Sequence, residues 1–233
     1  MKTMLLAMVT AMALSTSTNA ASGPPLKIGI IGTGNIGGAL AKHWAKAGHE
    51  VFISSRHPEE LQGLAKSLGS KAHVGTPQEA AAFGDVILIS VPYKATPQVG
   101  RDYAKELKGK VVLDTGNPYP ERDGEMAVDA RKRGTGVTSK EFLPGVRLVR
   151  AFNEINAGAL GRSEQRNGER VGIPLASDDQ EALQVASRLV RDAGFDPVIV
   201  GGLSRAKDFD YGTPVYTRLL TAKELKKELK LAE

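Results

Sequence analysis

Residues 27–42 have the sequence KIGIIGTGNIGGALAK. A short apolar run leads directly into the pattern Gly32-x-Gly34-x-x-Gly37, and a helix-like segment follows. This is the context that a dinucleotide-binding strand–turn–helix unit requires. Gly32 would make the tight turn, Gly34 would let the backbone approach a pyrophosphate, and Gly37 would let helix and strand pack closely. The alternative is a glycine-rich turn that binds nothing.

The rest of the chain repeats this alternation of apolar runs and helix-like segments. The runs are continuous rather than alternating, as is typical of strands buried on both faces of a parallel sheet. We predict strands over 26–31, 51–54, 86–91, 111–114, 147–152, 171–176 and 197–200. The remaining expectations are a helix over 178–193, a last helix over 213–230, and an exposed loop over 121–136 that contains the basic run 131–133.

The end of the second predicted strand indicates which dinucleotide is bound. An NAD site places an acidic residue about 20 positions after the glycines, but this chain has Ser54, Ser55 and Arg56 there. Two hydroxyls and a guanidinium can donate charge-assisted hydrogen bonds to a 2′-phosphate, which a carboxylate would repel. The sequence therefore favours NADP(H), although Glu59 and Glu60 lie close by.

The third strand ends in Ser90-Val91-Pro92. Ligands of open α/β sheets bind outside the carboxyl ends of the strands, so these residues are candidates for the ribose and nicotinamide side of the site. A plain strand-terminating turn explains the proline equally well.

Composition excludes several other kinds of function. A net charge of +5, evenly spread, does not predict a nucleic-acid surface. The chain has no cysteine, and its four histidines lack ligand spacing, so we predict no metal site. We also predict no catalytic side chain, because no serine or cysteine nucleophile with its partners is evident.

The N-terminus has the features of a secretory signal. Lys2 precedes an apolar run over 4–14 and a small polar stretch, and we place the cleavage after Ala20. The run is too short to span a bilayer, and the remainder has no other candidate span. A functional signal would make the protein periplasmic or secreted; otherwise it would be cytoplasmic.

Several motifs together resemble the coenzyme F420-dependent NADP oxidoreductase family. They are TGNIG at 33–37, Ser55-Arg56, SVPY at 90–93, DTGNP at 114–118 and VRAFNEIN at 149–156. The AFN triplet at 151–153 and GLSRAK at 202–207 are also similar to the oxidoreductase domain of the STEAP metalloreductases.

The resemblance implies a Rossmann fold, that is, a doubly wound parallel sheet, with a small C-terminal α/β extension. It assigns 26–150 to NADP(H) binding and 151–233 to an extension that binds a small-molecule acceptor: F420, FMN or FAD. It implies that Thr33, Asn35 and Ile36 hold the pyrophosphate, Ser55 and Arg56 the 2′-phosphate, and Val91 and Pro92 the nicotinamide side. It places Asn153 and Ile155 against the acceptor ring, and it implies a homodimer.

Hydride transfer between two such rings needs proximity rather than an acid or base from the protein. The same lack of catalytic side chains fits a non-catalytic NADP(H)-binding sensor or scaffold. A small-substrate NADP reductase is a further alternative, although little after Asn153 could build the long helical domain that such enzymes usually carry.

Overall fold

One eight-stranded sheet runs through the molecule, in the order β10-β9-β6-β5-β4-β1-β2-β3. The computed structural model describes residues 23–163 and 165–232, so the predicted signal over 1–20 lies outside the described residues. The strands of the sheet are β1 (Lys27–Ile31), β2 (Glu50–Ser54), β3 (Ala72–Gly75), β4 (Val86–Ile89), β5 (Val111–Asp114), β6 (Arg147–Arg150), β9 (Gly172–Ala176) and β10 (Asp196–Gly201). The short strands β7 (Gln165–Arg166) and β8 (Glu169–Arg170) form a separate hairpin.

The sheet is parallel except where β6 meets β9 at the pair Arg150–Ala176. From β1 the chain adds β2 and β3 on one side, and then β4, β5 and β6 on the other. This reversal makes the gap between β1 and β4 the topological switch point, where open α/β sheets bind ligands. The predicted doubly wound parallel sheet is confirmed.

Helices connect most of the strands. They are α1 (Asn35–Lys46), α2 (Gln62–Leu68), α3 (Pro77–Phe83), α4 (Thr96–Asp102), α5 (Ala104–Leu107), α6 (Pro120–Asp123), α7 (Glu125–Arg133), α8 (Thr135–Phe142), α9 (Ala157–Arg162), α10 (Gln180–Asp192) and α11 (Ala222–Glu228). Short 3-10 helices cover Pro58–Leu61, Tyr93–Ala95 and Leu203–Asp208. None of the helices within the described residues is long and apolar enough to cross a membrane.

Both faces of the sheet are covered, which explains the continuous apolar strands. Along β4, Val86 and Leu88 belong to one buried cluster, whereas Ile87 and Ile89 belong to another. Helices α1 and α10 contribute to the first cluster, and α4 contributes to the second. Successive side chains of a strand point to opposite faces, so each strand must be apolar throughout.

The first half of the chain and the segment after β6 share one core. The indole Nε1 of Trp44 in α1 donates to the carbonyl oxygen of Leu189 in α10 at 2.9 Å. Phe152 packs edge-to-face against both Trp44 and Phe195, with ring centroids 6.3 and 6.4 Å apart. All four side chains are buried, so the segment after residue 150 extends the same sheet and the same core.

The prediction of an exposed loop over 121–136 is wrong. The segment forms α6, α7 and the start of α8, and Gly124 and Gly134 join them with φ of +67° and +93°. Ala127 and Ala130 are buried one helical turn apart, and this narrow apolar stripe holds α7 to the protein. The charged residues around that stripe hide its helical period in the sequence.

The last predicted helix is too long. Only Ala222–Glu228 is helical, and Thr217 and Leu219 before it have φ of +59° and +52°, which no helix accommodates. Thr221 begins the helix as a capping box with Glu224. Strand β3 was not predicted, because this edge strand is only partly buried and has no continuous apolar run.

Candidate dinucleotide site

The three glycines of the first turn have different surroundings. Gly32 has φ of +93°, and a Cβ on it would collide with the carbonyl oxygen of Ser90. A Cβ on Gly37 would collide with the carbonyl oxygen of Gly32. A Cβ on Gly34 would have no described atom within 4 Å. The fold therefore requires the first and third glycines, and the open space beside Gly34 fits the close approach of a ligand to the backbone.

The N-terminus of α1 faces this space. Gly34 is its N-cap with extended backbone, and no side chain among the described residues caps the helix. Asn35 is exposed and Ile36 is half-buried. The first N–H groups of a helix have no partner within it, so this end of α1 can bind an anion.

Thr33 holds the glycine turn against the end of β2. Its backbone N–H and its hydroxyl donate to the Ser54 carbonyl oxygen at 3.1 and 3.0 Å, and its Oγ1 accepts the Ser54 N–H at 3.0 Å. Both donors of Thr33 are therefore already used. The residue positions the loop rather than offering a hydrogen to a phosphate.

Two of the three residues predicted for the 2′-phosphate face outward. Ser54 is fully buried, and its hydroxyl donates to the Ile30 carbonyl oxygen at 2.7 Å, so we leave it out of the phosphate site. Ser55 is half-buried and its Oγ accepts the His57 N–H at 2.9 Å, and its hydroxyl donates to no atom of the described residues. Arg56 is exposed and makes no ion pair with any described residue; the neighbouring Glu59 lies 3.5 Å from His57.

The segment after β4 borders the same space. The Ser90 N–H donates to the Ile31 carbonyl oxygen at 2.9 Å, which holds the segment beside the glycine turn. Val91 is half-buried, and a Cβ on Gly32 would lie 2.7 Å from its Cγ1. Pro92 is exposed. The structure thus brings these three residues, the glycine turn and the Ser55–Arg56 pair to one edge of the sheet.

A buried arginine holds the next part of that edge. Arg150 is fully buried at the end of β6, and its Nη1 lies 2.8 Å from Asp114 Oδ2 at the end of β5. Its Nη2 donates to the Gly116 carbonyl oxygen at 2.7 Å and lies 3.5 Å from Asp210 Oδ1. Asp210 also accepts the backbone N–H and the hydroxyl of Thr135. The network fixes two strand ends and a loop. In the sequence, its only signal was Arg150, a charged residue at the end of the otherwise apolar part of β6.

The two predicted acceptor residues are buried. Asn153 and Ile155 are 2% and 5% exposed, so neither offers much surface to a ligand. The Asn153 side-chain amide donates to the Phe209 carbonyl oxygen at 3.3 Å, and its buried Oδ1 has no hydrogen-bond partner among the described residues. Ile155 belongs to the core. The expectation that both lie against an acceptor ring stays a prediction, and the exposed surface has to come from other residues.

Three tyrosines lie beside Asn153 and were not found from the sequence. We call Tyr119, Tyr211 and Tyr216 the tyrosine cluster. The hydroxyls of Tyr119 and Tyr216 are 2.7 Å apart, and the Tyr211 ring packs edge-on to theirs at 4.8 and 5.3 Å between centroids. Burial is the main cause that raises the pKa of Tyr216. Asn117 connects the cluster to the strand ends, because its side-chain amide donates to the Asn153 carbonyl oxygen at 2.7 Å.

The cluster is half-buried, so it offers ring surface to a ligand. Its members are too far apart in sequence for any local pattern to join them.

Comparison with known proteins agrees with this geometry. Residues 27–118 match the family described as NADP oxidoreductase, coenzyme F420-dependent. The F420-dependent NADP reductase of Methanothermobacter thermautotrophicus is 31% identical over 208 residues, which cover 83% of this chain and 89% of that one. Metalloreductase STEAP3 of Rattus norvegicus is 30% identical over 184 residues, but the matched part is 79% of this chain and only 36% of the metalloreductase.

A solved structure shows the same fold over nearly the whole chain. A hypothetical protein from Sinorhizobium meliloti superposes with a TM-score of 0.73 at 25% identity, covering 85% of this chain and 96% of that one. The family expected from the sequence motifs is thus confirmed by a full-length relative. The chain belongs to the coenzyme F420-dependent NADP oxidoreductase family, whose members are NADP-dependent oxidoreductases built on a Rossmann fold.

Proposed function

We propose that the protein transfers hydride between NADP(H) and a flavin or 5-deazaflavin acceptor such as F420, FMN or FAD. The observation that carries the proposal is the open space beside Gly34, which faces the uncapped N-terminus of α1. The name of the Methanothermobacter thermautotrophicus relative, F420-dependent NADP reductase, supports F420 as one such acceptor.

Each group of residues at the carboxyl ends of the strands has a role in this proposal. The backbone N–H groups of Gly34, Asn35 and Ile36 bind the pyrophosphate, and Thr33 holds their loop in place. Ser55 and Arg56 bind the 2′-phosphate. Residues 90–92 lie along the nicotinamide, and the tyrosine cluster takes the place of Asn153 and Ile155 as the acceptor surface.

The chemistry needs little more from the protein. Bound NADPH supplies the hydride and the flavin-type ring accepts it. The chain orients the two rings and keeps water away from them, which is where its contribution to the rate lies. We propose that residues 26–150 bind NADP(H) and that 151–233 complete the acceptor side; export and a homodimer stay predictions.

Mixing the purified protein with NADPH and each acceptor tests the proposal. We expect NADPH oxidation, measured by nicotinamide absorbance, with at least one flavin or deazaflavin and little with NADH. Tight NADPH binding without oxidation by any acceptor would instead support a non-catalytic sensor.

Replacing Gly34 with alanine tests the pyrophosphate site. The new methyl group has open space, so we expect the free energy of unfolding to stay within about 0.5 kcal/mol of the wild type. The methyl group fills the ligand's place, so we expect the NADPH dissociation constant to rise about tenfold, measured by calorimetry.

Gly161→Ala is the matched control, because a Cβ there also has no described atom within 4 Å but the residue lies on α9. Wild-type NADPH affinity in Gly34→Ala would contradict the assignment.

A further inference from the structure

A second site lies next to the tyrosine cluster, between α7 and the loop after the 3-10 helix Leu203–Asp208. It is a cleft of about 400 Å³ whose lining includes Arg131, Lys132, Lys207, Asp210 and Tyr211. We call it the basic cleft. Nothing in the proposed binding of NADP(H) uses it.

The three cations of the basic cleft have no ion-pair partner among the residues that the structure describes. Arg131, Lys132 and Lys207 are exposed, and none is within ion-pair distance of a carboxylate among residues 23–163 and 165–232. Arg133 on the same helix differs, because it pairs with both Asp129 and Glu141. The cleft therefore holds positive charge that an anionic ligand can neutralise.

The carboxylate in the lining does not cancel this charge. Asp210 is 7% exposed and directs its oxygens to Arg150 and Thr135. Burial is also the main cause that raises the pKa of Asp210. Its carboxyl oxygens are therefore engaged inside the protein rather than in the cleft.

Tyr211 joins the basic cleft to the edge of the sheet. The Arg131 guanidinium carbon lies 5.0 Å from the centre of the Tyr211 ring. The Tyr211 ring also contacts Tyr119 and Tyr216. Tyr216 in turn lies 3.5 Å from the side-chain amide of Asn117, which follows β5. A ligand on the tyrosine cluster can therefore extend one end into the cleft.

The basic cleft is separate from the 2′-phosphate site. Arg56 follows β2, whereas the contacts of the cleft lead back to the end of β5. Three strand spacings separate β2 from β5, which is roughly 14 Å. One anionic group of NADP cannot serve both places.

We propose that the basic cleft binds an acidic tail, phosphate or carboxylate, of an acceptor whose ring lies on the tyrosine cluster. The inference rests on the proposed function and narrows its substrate class to rings that carry such a tail, as opposed to neutral rings. Arg131 stacks on Tyr211 at the junction, and the two lysines bind the tail as mobile point charges.

FMN and riboflavin provide the test for phosphate, because they share one ring and differ in that group. In fluorescence titrations of the full chain we expect FMN to bind about tenfold more tightly than riboflavin. We call this difference in affinity the gap, and we expect it to narrow as the salt concentration rises. Lys132→Gln/Lys207→Gln should abolish the gap and leave riboflavin and NADPH affinities unchanged. Paired 5-deazaflavins with and without a carboxylate tail test the other source in the same way.

Arg133→Gln is the matched control, since it removes a cation from the same helix but not from the cleft. We expect it to keep the gap. The proposal would be overturned if the tailed and untailed rings bound equally tightly in both acceptor pairs. It would also be overturned if Arg133→Gln lost the gap as completely as the double lysine variant. The two proposals fail separately. A difference in affinity between the tailed and untailed rings without any NADPH oxidation would contradict only the hydride transfer. NADPH oxidation without that difference would contradict only the role of the basic cleft.

Discussion

Replacing Arg56 with alanine is expected to lower the preference for NADPH over NADH by about tenfold to a hundredfold. A hydrogen bond to a charged group contributes about 1.5–3 kcal/mol, and Arg56 has no described ion-pair partner that would compete for its guanidinium. The loss should fall on NADPH alone, because NADH has no 2′-phosphate. Dissociation constants for both nucleotides measure it directly.

Arg101→Ala is the control for this change. Arg101 is also an exposed cation, but it lies on α4 and donates to Gln98. Its removal should change the dissociation constant of neither nucleotide, whereas a general electrostatic effect would raise the NADPH dissociation constant in both variants. An unchanged ranking in Arg56→Ala would remove the 2′-phosphate from this end of β2.

The dinucleotide half of the fold was predictable because its signals are local. A buried strand, three glycines at fixed spacing and a helix lie within residues 27–46, so the sequence shows the unit without reference to the rest of the chain. The structure confirms the parallel sheet and explains Gly32 and Gly37 by backbone contacts.

Side-chain direction was not predictable in the same way. Ser54 and Ser55 are adjacent hydroxyls at the end of one strand, and the pleat sends the first into the core and leaves the second half-buried. From the sequence alone, both serines were predicted to bind the 2′-phosphate. Only the register of β2 against β1 separates them.

The acceptor side was the least predictable part because its contacts are long-range. Tyr119 and Tyr216 meet across 97 positions of sequence, and Arg150 meets Asp210 across the same sheet edge. A resemblance could place Asn153 near this edge, but it could not show that the side chain is buried. The exposed surface comes from the tyrosines instead.

Glu154, beside Asn153, is a buried carboxyl with little to stabilise its charge. The residue is 5% exposed, and its buried Oε2 has no hydrogen-bond partner in the part of the chain that the structure describes. Burial raises the pKa of Glu154 to about 8, and a backbone hydrogen bond and Arg150 offset this only in part. The folded protein therefore keeps a proton on Glu154 at pH values where the unfolded chain has lost it.

The free energy of unfolding should consequently fall as pH rises from about 5 to 8. The unfolded chain binds fewer protons across this range, so the slope is negative and reaches about 1.4 kcal/mol per pH unit. Glu154→Gln keeps the shape of the neutral acid but cannot ionise. We expect the variant to match the wild type near pH 5 and to exceed it by about 4 kcal/mol near pH 8.

Denaturant unfolding at a series of pH values measures this difference. Glu121→Gln, which removes an exposed carboxylate on α6, should follow the wild-type profile throughout. Parallel curves for Glu154→Gln and the wild type would mean that the carboxyl ionises at its ordinary pKa in the folded protein, through water or a partner at Oε2. A stability difference between Glu154→Gln and the wild type that appears only above pH 5 would show instead that Glu154 is an uncharged acid in the folded protein. A buried carboxylate whose charge is poorly compensated costs more free energy than a buried amide.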